Sequence, residues 1–371
     1  MSCACPRDEP LVNAASMARV RPAPPGMEWY PLAPPALGAA VDFQDGLRWL
    51  RIPLPGRLDH INVWLLPAQG SGWWLVDTGM GVPVAHAAWD ALVQEHALES
   101  TLRGILVTHH HPDHFGMAAA LATRCDVEVR MSREAHRAGG WAYAGNAPEL
   151  LASFGAHWGL DYARVLDQAN ARHLFRQVIS GVPPVTQPLE DGEVLTGTDL
   201  PWSVTLHDGH AEGHACLYAA TAGLFIAGDE LLPTISSNVS VYAQSGLVDP
   251  LEDHFKSVRR LRMLSTDTLV LPAHGRPFYG AHARLDLLEA EHAARLVEIL
   301  EHASEPCSAM EMSTKLFRGR TLDGMNQLLA LGETIAHLHY LERRGELQRV
   351  EVAHHAAGQE AAPRFIRATL A

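Results

Sequence analysis

A chain of 371 residues is too long for one ordinary core, and 47% hydrophobic residues predict a water-soluble globular protein with one large domain and a smaller one. The net charge of −13 leaves no broad basic surface to neutralise a phosphate backbone, which argues against a dedicated duplex-binding protein. The five cysteines are odd in number and lack zinc-ribbon or Cys-x-x-Cys spacing, and no apolar run approaches the ~18 to 20 residues of a membrane span. A cytoplasmic protein with free thiols and no membrane partner is expected.

Residues 1–40 are rich in Pro and Ala without helical or strand periodicity, so a loosely ordered leader is predicted. From Leu47 the texture changes. LRWLRIPL, INVWLLP and WWLVDTG read as consecutive strands separated by Pro/Gly turns. Val82 to Leu98 has apolar positions at helical spacing, Gly104 to His109 returns to a buried strand, residues 115–124 read as a helix and Val127 to Ser132 as another strand. Residues 133–188 form a mainly helical insert whose aromatics, among them Trp141, Tyr143, Phe154, Trp158, Tyr162 and Phe175, point to packing, with a lid over a site as the alternative. Strands resume at WSVTLHDG, CLYAAT, LFIAGD and TLVLPAH, interrupted by a helix over about Asp249 to Leu264. A long helix from about Ala281 to Ala303 leads to residues 305–371. These read as two helices and two strands turning at Gly358, the outline of a winged helix.

Histidine is the unusual entry in the composition, with 22 copies. It is the commonest metal ligand, and spacing singles out Thr108-His109-His110-His111-Pro112-Asp113-His114, between a strand and a helix. His109 and His111, two apart at a strand end, can face one cation; Asp113 and His114, a short turn on, can reach a second.

His-x-His-x-Asp-His resembles the metal motif of the metallo-β-lactamase superfamily, and four further segments resemble that family's pattern in its order. They are Leu75-Val76-Asp77-Thr78-Gly79, Asp208-Gly209-His210-Ala211-Glu212-Gly213-His214, Ala227-Gly228-Asp229 and Leu271-Pro272-Ala273-His274-Gly275. The resemblance implies a four-layer αβ/βα sandwich spanning 41–304, with the helical insert and a small C-terminal winged-helix-like domain. It also implies two Zn²⁺ ions, iron or manganese being admitted at either position. His109, His111 and His210 would hold the first, Asp113, His114 and His274 the second, and Asp229 would bridge them. Neutral imidazoles suit Zn²⁺, and a bridging carboxylate keeps two cations at ~3.5 to 4 Å with positions open to water and substrate.

Asp77 reads as a partner of a ligand rather than a ligand, His110 and His214 as outer hydrogen-bonding groups, and Cys216 as a buried inert thiol. Asp229 stands where the lactamases proper have a cysteine, which turns the expectation away from antibiotic hydrolysis. Residues 306–371 carry eight basic and seven acidic side chains, a weak basic face for reading DNA, so an appended domain bordering the active-site cleft is expected.

The resemblance extends to the β-lactamase-like protein 2 and hydroxyacylglutathione hydrolase group. It implies a hydrolase in which hydroxide between two ions attacks the carbonyl of a small ester or thioester, with Asp113 assigned to catalysis. A phosphodiesterase or single-strand endoribonuclease is the alternative, and a winged-helix regulator with a vestigial metal site a more remote one. The partner expected is a small acyl molecule, with a homodimer left open.

Overall fold

The structure, a computed structural model, describes residues 22–143, 147–160, 178–243, 248–320, 322, 324–350 and 362–368. Residues 1–21 of the expected leader, Tyr162, Phe175, Gly358, Cys3 and Cys5 lie outside the described residues. After β1 (Glu28–Trp29), one six-stranded sheet follows chain order: β2 (Ala40–Asp42), β3 (Arg48–Pro53), β4 (His60–Pro67), β5 (Trp73–Val76), β6 (Leu102–Leu106) and β7 (Val129–Arg130). β2 to β5 pair antiparallel, whereas β5, β6 and β7 are parallel neighbours. Parallel neighbours need crossovers. They are supplied by α1 (Pro83–Glu95) with α2 (Leu98–Thr101), and by α3 (Pro112–Phe115) with α4 (Ala118–Cys125).

The insert contributes α5 (Arg133–Ala142) and α6 (Ala147–His157). Then β8 (Ser203–His207), β9 (His214–Ala219), β10 (Leu224–Gly228), β11 (Leu269–Pro272) and β12 (Phe278–Tyr279) build the second sheet, with β10 and β11 parallel across α7 (Pro250–Leu261). The sixth strand of this sheet is β1, where Glu28 and Trp29 pair antiparallel with Tyr279 and Phe278. This corrects the leader expected to residue 40. Tyr30 and Leu32 pack on the core between the sheets, and the Arg276 guanidinium donates to the Tyr30 carbonyl at 3.0 Å. A two-residue strand held by such distant contacts leaves no periodicity in a Pro-rich segment.

Alternation along the strands builds the layers, because successive side chains leave a strand on opposite faces. On β4, Ile61, Val63 and Leu65 face Trp89 and Leu92 of α1 and Leu121 of α4, while Trp64 and Leu66 face the other sheet. On β10, Leu224 and Ile226 enter the same inter-sheet core, and Phe225 and Ala227 turn outward onto Val258 of α7 and Leu285 of α8 (Ala281–His302). Helices, sheet, sheet and helices therefore stack as the four expected layers. At the centre, Trp49 and Trp64 are cross-strand partners with rings stacked at 5.8 Å. The Trp49 indole donates to Asn62 Oδ1 at 2.8 Å.

At 1.5 Å rise per residue, α8 spans about 33 Å. Its start packs on the second sheet and its end, with Ile299, on a separate core. That core gathers α9 (Ala309–Leu316) and α10 (Gly324–Arg343) with a three-stranded sheet of β13 (Cys307–Ser308), β15 (Arg364–Arg367) and β14 (Leu347–Val350). Ser308 and Glu311 form a reciprocal capping box that starts α9. Trp158, just past α6, stacks on Phe365 at 6.4 Å, so the α6 part of the insert packs on the C-terminal elements while Ala135 of α5 joins the core of the first sheet and its helices. Cys125, Cys216 and Cys307 are free and buried. Among the described residues no helix is long and apolar enough to cross a membrane.

Candidate metal centre

Every motif picked out in the sequence arrives at one place, beyond the carboxyl ends of the parallel strands. Asp77 follows β5, His109 to His114 follow β6, His210 precedes β9, Asp229 follows β10 and His274 follows β11. Three groups of potential ligand atoms gather there: His109, His111 and His210; His109, His114 and Asp229; and Asp113, His114 and His274. His109 Nε2 lies 2.9 Å from His111 Nδ1 and 3.2 Å from His210 Nε2. His274 Nε2 lies 3.3 Å from Asp113 Oδ2. All seven residues expected to hold metal are therefore brought together.

Their rings are fixed from behind. His210 Nδ1 donates to the Asn238 carbonyl at 2.9 Å and His274 Nδ1 to the His60 carbonyl at 2.8 Å. A carbonyl can only accept, so Nδ1 carries the proton and Nε2 presents its lone pair to the centre. His114 Nδ1 meets Asp77 Oδ2 at 2.7 Å. Asp77 has a left-handed backbone (φ 61°), and its carboxylate also accepts from the Thr108 amide at 2.8 Å. It thus holds the start of the histidine-rich loop and bonds His114 from behind.

His214 lies behind Asp229, with Nε2 accepting from the Asp229 amide at 3.1 Å. Gly228 is required beside it: at φ 51°, a Cβ there would stand 2.6 Å from the His214 ring. Cys216 donates to the Ala227 carbonyl, and burial pushes its thiol well up, which keeps it inert. The His110 carbonyl accepts from the Tyr143 hydroxyl at 3.1 Å, placing the end of α5 against the metal loop.

The electrostatics suit cations. Burial, reinforced by the surrounding imidazoles, holds His109 and His111 well below their ordinary value, so both are neutral donors of a lone pair. Burial would lower His114 also, but Asp229, Asp77 and Asp113 around it carry it well above. His114 Nε2, His274 Nε2 and Asp229 Oδ1 are buried without a hydrogen-bond partner. Orphaned buried polar atoms are rare, and three converging on one point are explained by a cation among them. Three carboxylates, Asp77, Asp113 and Asp229, stand in this cluster, a concentration of acid that bound cations would offset.

Sequence reasoning missed several supports. His60 supplies the carbonyl behind His274, and its own Nε2 accepts from the Gly275 amide at 3.1 Å. Asn62 donates to the carbonyls of Pro272 and Gly275, both at 2.9 Å. Asn238 and Tyr242 lie beyond Asp229 in a segment without motif, the Tyr242 ring 6.4 Å from that of His111. A lone Asn inside the apolar run INVWLLP was the one available signal.

The pattern described as the Metallo-beta-lactamase superfamily matches residues 56–274, and that described as the Metallo-beta-lactamase-like, C-terminal domain matches residues 296–362. The chain is 27% identical over 300 residues to the probable metallo-hydrolase YqjP of Bacillus subtilis, covering 79% of this chain and 91% of that one. It is 24% identical over 216 residues to a hydroxyacylglutathione hydrolase of Vibrio cholerae, covering 58% and 62%. Among solved structures, a beta-lactamase domain protein from Burkholderia ambifaria superposes with TM-score 0.82 at 35% identity, covering 92% of this chain and 98% of the other. A metallo-beta-lactamase family protein from Thermus thermophilus does so with TM-score 0.71 at 29% identity, covering 87% and 98%. With its fold, its motif order and more than half its length matched, the chain belongs to the metallo-β-lactamase superfamily.

Proposed function

We propose that the protein is a two-zinc hydrolase of small esters or thioesters. The carrying observation is the way Asp229 divides its carboxylate. Oδ1 faces His114 Nε2 and His274 Nε2, each at 3.4 Å, and Oδ2 faces His210 Nε2 at 3.5 Å. One oxygen thus belongs to each ligand group, the disposition a bridging carboxylate needs. The likeness to a hydroxyacylglutathione hydrolase supports a thioester over other acyl compounds.

Bound there, two divalent cations supply a Lewis acid for the substrate oxygen and lower the pKa of water toward neutrality. His109, His111 and His210 would hold one and Asp113, His114 and His274 the other, a cation there taking the place of the proton that the surrounding carboxylates favour on His114 and His274. Asp113 is kept ionised against burial by His114 and His274, so Oδ2 can accept a hydrogen bond from the attacking water and orient it. Water oxygen adds to the acyl carbon, the carbon–sulfur or carbon–oxygen bond breaks, and the proton leaves with the thiol or alcohol. Exclusion of bulk water falls to the metal loop and the Tyr143 end of α5. The helix–helix–hairpin order of the C-terminal elements supports a winged-helix-like domain bordering this cleft.

The test pairs metal content with turnover. Purified protein is expected to bind two zinc ions and to cleave at least one member of a panel of thioesters and lactones, with His111→Ala abolishing turnover. A fully loaded protein that cleaves none, or His111→Ala behaving as wild type, refutes the reading.

A further inference from the structure

The segment from Ser237 to Tyr242 has neither helix nor strand, yet it carries the carbonyl that fixes His210. Ser237 donates to the Asp229 carbonyl, and the Ser240 hydroxyl and the Tyr242 hydroxyl, the latter at 2.8 Å, both reach Asn238 Oδ1. Outside these internal bonds the segment leans on α10. The Val241 amide donates to the Gly332 carbonyl at 3.2 Å, and Ser240 Oγ stands 3.4 Å from the Leu329 carbonyl. Gly332 is buried at the closest approach: a Cβ there would lie 2.9 Å from the Val241 carbonyl oxygen and 3.1 Å from Ser240. Only a glycine lets the segment lie this near the helix.

We infer that α10 is a working part of the metal centre: through Gly332 and the Ser237–Tyr242 segment it positions the Asn238 carbonyl, and so His210, in the first ligand group. This rests on the two-metal reading above and adds a dependence of one ion on the C-terminal domain. The asymmetry follows from which partner stands behind each ring. His210 is tied to Asn238 and through it to α10, whereas His114 is tied to Asp77 and His274 to His60, both in the first sheet's half. Displacing the segment tilts His210 and weakens the group it shares with His109 and His111, while Asp113, His114 and His274 keep their geometry. Gly332 and Asn238 are positioning residues.

Gly332→Val is compared with Leu338→Ala, a cavity in the same helix away from the segment. Zinc content is followed through a graded chelator series on the full-length protein, alongside thermal unfolding. Gly332→Val is expected to release one of two ions at about 10- to 100-fold lower chelator than wild type and to hold the other normally. Leu338→Ala is expected to unfold at lower temperature and keep both. Release of both ions by Gly332→Val in parallel with wild type overturns the inference, as does equal selective loss in Leu338→Ala. Should Gly332→Val fail to fold, Gly332→Ala makes the same comparison with a smaller displacement. Wild type that holds no second ion refutes the two-metal reading, and this inference with it.

Discussion

Asp77 Oδ2 receives the His114 ring at 2.7 Å from Nδ1, with both side chains buried and the Thr108 amide bonded to the other carboxylate oxygen. One residue thus fixes a ligand and the loop that carries it. Asp77→Asn tests the charge separately from the backbone, because Asn accepts a left-handed φ as readily as Asp does. The variant is expected to fold, and to lose about 10- to 100-fold in metal affinity through His114. Competition with a chromophoric chelator measures this; unchanged affinity means that Asp77 only shapes the turn.

The bridging reading of Asp229 makes a sharper demand. Asp229→Asn keeps size and removes the negative charge between the two groups, so retention of both ions is expected to weaken together. His111→Ala is expected to weaken the first group while leaving Asp113, His114 and His274 intact. Each is expected to lower kcat/KM by more than about 100-fold, beyond what loss of an outer partner alone brings. Metal content by elemental analysis, set beside turnover, separates the two. Selective loss of a single ion from Asp229→Asn would contradict the bridge.

The parts legible in sequence were those whose chemistry is local. His109 to His114 are neighbours along the chain, and strands such as INVWLLP carry their burial in composition. What escaped was held by contacts between distant residues. β1 exists because Phe278 and Tyr279 lie beside it, and Asn62 matters because it meets carbonyls 210 and 213 positions away. His254, His292 and His337, on three helices, form a buried cluster with His292 Nδ1 3.1 Å from His337 Nε2, which no spacing announced.

That cluster makes stability depend on pH. Burial pushes His292 down to about 4 and His337 to about 3, with Arg295 adding to both and His292 itself weighing on His337. Glu291 beside His292 and the Glu333 carbonyl bonded to His337 offset only part of this. In the unfolded chain each histidine titrates near 6.5. Between these values the unfolded state binds more protons, so the stability contribution is present above about pH 6.5 and is lost as pH falls toward 3 to 4. Replacing His337 by Gln is expected to flatten the acid side of the stability curve by about 1 kcal/mol per pH unit. Urea unfolding at pH 7.0, 5.5 and 4.5 with and without the substitution measures this, since the metal ligands are common to both proteins. Parallel curves would remove His337 as a source of the slope.

Asn62 ties the two sheets together at the metal centre. Its carboxamide accepts from the Trp49 indole and donates to the carbonyls of Pro272 and Gly275, the residues that bracket Ala273 and His274. Asn62→Leu keeps the branched shape but leaves the buried indole N–H without its acceptor and the two carbonyls without the carboxamide donor, each loss costing on the order of 1 to 3 kcal/mol. A net destabilisation of about 3 kcal/mol is expected, because the Asn62 amide still donates to the Ala273 carbonyl and limits the movement. Freed from Asn62, the turn at His274 also holds its ring less firmly, so the second ligand group is expected to lose about tenfold in metal affinity while the first is spared. Denaturant midpoints of metal-free protein read the first effect and chelator competition the second. Destabilisation with unaltered affinity would limit Asn62 to joining the sheets; loss of both together makes the inter-sheet bond a support of the metal centre.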